Sequence, residues 1–272
     1  MAEIDNKLRA VELSLEALRR RRTKVFGLPL TILVERDINP IPDVVAELVN
    51  FLRDPAAMAV SGLFASSPAI HSMTPGKARA HLSASDSAAS DSDGEGKSGD
   101  GGDDAERIDD DLSELISLVD SGHDVRSLLY PTIAAGREYS PIVVGEALKH
   151  FLLSLPQSLV PQRRFVQWVS SYNPDADPVA TLRPLVSALP PVNRNVLEFL
   201  CTYLHDLARH SNNDATVASL ASAIGPTILQ PSYKLDAREL TATSPIVTAI
   251  TVQLIGKPRI FALTDPVAEG RV

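Results

Sequence analysis

The residues with a claim to chemistry are few. His205 and Asp206 are neighbours, a pairing that a general base and its orienting acid could use. They lie in the apolar-periodic run Val196, Leu197, Phe199, Leu200, Tyr203, Leu204, which reads as one long helix. Sequence neighbours point about 100° apart on a helix, so the two are expected to be surface polar residues and not a catalytic pair. Cys201 falls in the same run, where packing is its expected role. As the only cysteine it rules out a disulfide framework and a cysteine-based metal cluster. The six histidines are scattered without metal-ligand spacing, and neither H-E-x-x-H nor a G-x-x-x-x-G-K-[ST] phosphate loop occurs. No metal and no cofactor is expected.

Composition narrows the classes further. With 26 Lys+Arg against 34 Asp+Glu the formal charge is −8, and 44% of the residues are hydrophobic. This is a globular composition with an acidic excess, so no nucleic-acid partner is expected. The acid is concentrated: between Ser83 and Glu114 twelve Asp and Glu stand against two basic residues, which leaves the rest of the chain close to neutral. The opening Met1-Ala2-Glu3-Ile4-Asp5 has no signal-type apolar stretch, and no run approaches the ~20 apolar residues of a membrane span. The expectation is a cytoplasmic protein of a reducing compartment.

The elements that must position any site read as helices throughout. Ile4, Leu8, Val11, Leu15 and Leu18 alternate spacings of four and three, the seam of a coiled coil or of a helix packed on its own domain, ahead of Arg19 to Arg22. Residues 1–22 are therefore expected to form an N-terminal coiled-coil-like helix, a possible surface for self-association. Val44, Val45, Leu48, Val49 and Leu52 share one helical face after Pro42-Asp43. Residues 83–104 offer almost nothing to bury and are expected to be a disordered acidic loop, with order resuming near Ile108 and stopping at Gly122. Ser140-Pro141 and Asp177-Pro178 are N-cap and first-turn pairs for helices bearing Val144, Leu148, Phe151 and Leu152, and Leu182, Leu185 and Val186.

Between these, Phe165, Val166 and Val169 form a short face with Trp168 beside it. Asp214 is expected to cap a helix ended by Gly225-Pro226, and Pro245 to Ile255 to form the last helix despite its β-branched content. One all-α domain over 23–265, interrupted by the loop and followed by a tail at 266–272, is the expected architecture.

Five strings in order carry a resemblance. Val25-Phe26-Gly27-Leu28-Pro29-Leu30 comes first, followed by the Gly62-Leu63-Phe64 turn and then Ala147-Leu148-Lys149-His150-Phe151-Leu152-Leu153-Ser154-Leu155-Pro156. Leu189-Pro190-Pro191-Val192-Asn193-Arg194 and Leu220-Ala221-Ser222-Ala223-Ile224-Gly225-Pro226-Thr227-Ile228-Leu229 complete the series. In this order they resemble the Rho GTPase-activating (RhoGAP) domain family from Val25 to about Pro231.

The resemblance implies an all-α RhoGAP-like domain that docks on a Rho-, Rac- or Cdc42-type small GTPase. A RhoGAP donates an arginine to the charge that spreads over the phosphoryl oxygens during GTP hydrolysis. In the family that arginine follows the Gly-(Ile/Leu)-Phe turn, and here the position is Ala65. The arginine expected four residues after the central lysine is Leu153, the asparagine before Leu220-Ala221 is Ser219, and the asparagine after Gly-Pro is Thr227. Lys149, Asn213 and Pro226 match the family and are the implied GTPase-binding residues. Three readings stay open: a pseudo-GAP that binds without activating hydrolysis, an active GAP using Arg79 or Arg137, and a scaffold that no longer binds GTPases.

Overall fold

Proline and small polar residues set most helix starts, and the apolar spacing behind them decides which face is buried. The computed structural model describes residues 23–65, 102–130 and 138–262. The segments expected as a leading helix at 1–22, as a loop from 83 to 101 and as a tail at 266–272, together with Arg79 and Arg137, lie outside the described residues.

The chain enters through helix α1 (Leu30–Asp37), α2 (Asp43–Leu52) and the single turn α3 (Pro55–Met58). It resumes with α4 (Gly102–Asp120), α5 (Val125–Leu129), α6 (Pro141–Ser154), α7 (Phe165–Ser171), α8 (Pro178–Ser187), α9 (Pro191–Ala208), α10 (Val217–Ile228) and α11 (Ala237–Gly256). The fold is all-helical, and the one β-bridge among the described residues joins Val160 to Leu229 in parallel. No described helix is long and apolar enough to cross a membrane.

Helix α6 is the centre of the packing. Ser140 accepts from the Val143 amide and Pro141 presets the first turn, as their order in the sequence predicts. Nine of its residues are buried, including Val144, Leu148, Phe151 and Leu152, because α2, α4 and α10 surround it. Asp120, at the end of α4, accepts from the amides of Val25 and Phe26 at 2.8 and 2.9 Å and ties the entering strand of chain to this layer. Buried Cys201 on α9 is packing material, its thiol pushed up by loss of water, as the apolar run around it implies.

Several boundaries depart from the sequence reading for identifiable reasons. α4 begins at Gly102, so the last residues of the expected loop, 102–104, are helical, six residues ahead of Ile108. α10 is capped by Thr216 rather than Asp214, through a reciprocal pair with Ser219. It continues through Gly225-Pro226 to Ile228, since the Leu229 amide still reaches the Gly225 carbonyl at 3.0 Å. α11 starts at Ala237, where Asp236 and Glu239 form a capping box, and carries Pro245 inside it. On α7 the buried pair is Phe165 and Trp168, three apart, whereas Val166 is 58% exposed. His205 is more than a surface residue: its Nδ1 hydrogen bonds the Ile255 carbonyl at 2.9 Å and clips α9 to α11.

Candidate site: the Gly62–Ala65 turn and its surroundings

Gly62 has φ +73°, the left-handed region that glycine occupies at little cost, and the Ala65 amide donates to the Gly62 carbonyl at 2.8 Å to close the turn. Two side chains anchor the turn from within. Leu63 is 2% and Phe64 3% exposed, and the Phe64 ring meets Tyr203 of α9 edge-on with centroids 6.3 Å apart. Tyr203 is itself buried without a hydrogen-bond partner for its hydroxyl, and burial pushes that phenol up.

Backbone contact completes the seat. A Cβ on Gly145 of α6 would stand 2.7 Å from the Leu63 carbonyl oxygen, so only glycine lets helix and turn approach this closely. This contact is invisible in the sequence, where Gly145 is simply a glycine within a helical run.

Outward, the turn forms one wall of a recess of about 320 Å³ whose other wall is the start of α10. Ala65, Asp214, Ser219 and Ser222 are among its lining residues, and among the described residues no lysine or arginine lines it. The structure thus brings Ala65 and Ser219, which are 154 positions apart, to one cavity.

Ser219 faces its own helix terminus. Its amide donates to Thr216 Oγ1 at 3.0 Å, and its Oγ accepts from the Thr216 amide at 2.9 Å. The side chain is committed to capping and is not free to brace the turn. Thr227 is likewise turned inward, 3% exposed with its hydroxyl donating to the Ile224 carbonyl at 2.7 Å. Leu153 presents a hydrophobic side chain to solvent, and Pro226 is exposed within α10.

Of the positions that match the family, Pro226 is exposed whereas Asn213 and Lys149 are drawn inward. Asn213 is a brace: its Nδ2 donates to the Met58 and Leu207 carbonyls at 2.7 and 3.1 Å, and its Oδ1 accepts from the Ala215 amide at 3.0 Å. Asn193, at the head of α9, donates to the Leu159 carbonyl at 2.9 Å beside the Val160 bridge. Lys149 is only 3% exposed and pairs with Glu146, one turn earlier on α6, at 2.6 Å. The resemblance implies a lysine that a partner can reach, and the structure buries it. Glu146, three residues earlier, is equally usual on an exposed helix face, so the local sequence carries no signal of this burial.

With this geometry in view, similarity to known proteins is interpretable. Residues 107–233 match the RhoGAP domain model. Rho GTPase-activating protein 22 of Mus musculus is 29% identical over 127 residues, covering 45% of this chain and 18% of that protein. Rho GTPase-activating protein gacJJ of Dictyostelium discoideum is 28% identical over 127 residues, 44% of this chain and 14% of that protein. The chain therefore spans less than a fifth of the length of these relatives. The crystal structure of human Rho GTPase activating protein 15 superposes with a TM-score of 0.63 at 20% identity, over 89% of this chain and 93% of that one. The matched sequence segment starts at Arg107, after the Gly62–Ala65 turn, whereas the fold likeness extends over most of the chain. On these matches residues 107–233 are similar to the RhoGAP domain, and the chain has an all-helical RhoGAP-like fold.

Proposed function

We propose that this chain binds a Rho-, Rac- or Cdc42-type small GTPase and accelerates its GTP hydrolysis weakly or not at all. The observation that carries this reading is Ala65 at the end of the Gly62–Ala65 turn, on a recess whose described lining holds no basic side chain. A donated arginine contributes roughly 10³–10⁵ in rate, or about 4–7 kcal/mol of transition-state stabilisation. A methyl group carries no charge and donates no hydrogen bond, so that contribution is absent from the turn.

The neighbouring positions support the same reading. Ser219 caps its own helix, Leu153 has a hydrocarbon side chain where the family has a cation, and the Thr227 hydroxyl points into α10. Meanwhile Leu63, Phe64 and Gly145 keep the turn seated, so a docking shape persists without its charge. In this reading Lys149, Asn213 and Pro226 belong to the GTPase-facing side, and the cytoplasmic setting follows from the partner. The burial of Lys149 favours a second reading, a scaffold that has lost GTPase binding.

The deciding experiment loads a panel of Rho-family GTPases with GTP or GDP and measures binding and phosphate release side by side. Binding without faster release is expected. Release at ordinary GAP rates overturns the reading, and absence of binding across the panel selects the scaffold. Ala65→Arg is expected to raise release by less than about tenfold, because no side chain at 153 or 219 braces an introduced guanidinium.

A further inference from the structure

Lys149 is a long, hydrated cation of the kind a protein usually leaves in water, yet here it lies almost wholly inside. Its ammonium meets Glu146 Oε1 at 2.6 Å, and each of the two side chains is 4% exposed. Glu146 Oε2 is buried and has no hydrogen-bond partner. An acid that is buried and only half satisfied is a cost that a merely structural role does not explain, since a hydrophobic residue of similar volume would serve the packing as well.

The pair's position supplies the explanation. Gly145 and Lys149 are one helical turn apart on α6, and Gly145 is the residue pressed on the Leu63 carbonyl. Lys149 therefore belongs to the helix face that seats the Gly62–Ala65 turn. Asp109 of α4 is the other charged group acting on Glu146, and its like charge opposes ionisation, as does burial, while Lys149 favours it.

We propose that Glu146 is a positioning residue, an internal counter-ion that withholds Lys149 from partners, so that a docking protein reaches the ammonium only by substituting its own carboxylate for that of Glu146. The inference rests on the reading of Lys149 as GTPase-facing, although the withholding itself does not need a GTPase. Breaking a buried ion pair leaves a charge without its partner, so the exchange is favourable only for a partner that brings an acid to that spot. Partners are thereby screened for a matching acid.

Two measurements test this in the full chain. With lysine side chains labelled with nitrogen-15, the Lys149 ammonium of the wild-type protein should give a slowly exchanging, resolved signal, distinct from exposed Lys257. Exchange as fast as that of Lys257 overturns the proposal without any variant having to fold. Competitive acetylation, read by mass spectrometry against Lys257, should label Lys149 at least tenfold more slowly in the wild type, and at least fivefold faster in Glu146→Gln than in the wild type. An unchanged rate in a folded Glu146→Gln protein shows that burial alone protects the amine and overturns the proposal.

Affinity for GTP-loaded GTPases should rise at least fivefold in the same variant, and an unchanged affinity for a GTPase that binds the wild type overturns the exchange. If no GTPase binds either form while the ammonium and acetylation results hold, the functional reading fails and the counter-ion role stands.

Discussion

The two sides of the Gly62–Ala65 turn differ in what they contact. On the inner side Leu63 and Phe64 are buried, Tyr203 meets the Phe64 ring, and Gly145 admits the Leu63 carbonyl at a distance no other residue would allow. On the outer side Ala65 ends in a methyl group and Ser219, across the recess, is folded back on Thr216. Packing and chemistry are separable properties of one turn. The inner contacts hold the shape because each is worth stability, whereas the Ala65 side chain contributes little to folding and can change without unfolding the domain.

The largest effect that would sharpen this contrast is Phe64→Ala. Emptying the space against Tyr203 should cost about 3–5 kcal/mol in denaturant unfolding, while Ala65→Arg should change stability by less than about 0.5 kcal/mol. Comparable costs for the two would break the contrast. Next is Gly145→Ala, which places a methyl group 2.7 Å from a backbone oxygen and forces α6 and the turn apart. A loss of about 1–3 kcal/mol is expected, with altered amide shifts from Gly62 to Ala65. Unaltered shifts would mean that the turn is not seated on α6.

Smaller still is Thr216→Ala, which removes one half of the α10 capping box and should lower stability by about 1 kcal/mol in thermal melts, with the Gly62–Ala65 shifts unaltered. The smallest effect is in pH. His150 stacks at a tilt on Phe26, centroids 5.7 Å apart, and burial holds its imidazole below the usual histidine value of 6.5, partly offset by Asp120. A base depressed in the folded state contributes stability that is present above pH 6.5 and lost as acid protonates it. The wild-type Tm should therefore decline on acidification below that value, and His150→Phe should flatten the decline. An identical acid limb in both proteins would place the sensitivity elsewhere.

Much of the framework is legible in the sequence because helix starts are written locally. Ser140-Pro141 and Asp177-Pro178 each combine a preset first turn with apolar spacing behind it, and each begins a helix where expected. The mistakes share a physical origin. A proline suggests a boundary, yet Pro226 and Pro245 sit inside α10 and α11, because tertiary packing of the two helices on one another and on α9 outweighs the lost backbone bond. Asp214 and Thr216 are both competent caps by composition, and only the reciprocal partner at Ser219 selects Thr216.

The candidate site divides in the same way. The turn and its alanine follow from five short strings read in order, but the depth of Lys149 and the Gly145 contact depend on what packs against α6, and the reach of Asn213 to the Met58 carbonyl depends on a segment 155 residues away. None of these is encoded within a few residues, so periodicity does not reveal them.

Asn213 joins three segments at one side chain: the residue that closes α3, the last turn of α9, and the lead into α10. The cleft beside Ala65 is bounded by the chain that follows the first of these and by the helix that follows the third. Its jaws are thus set to a common gauge. A visiting side chain meets a slot whose two walls are tied through one amide.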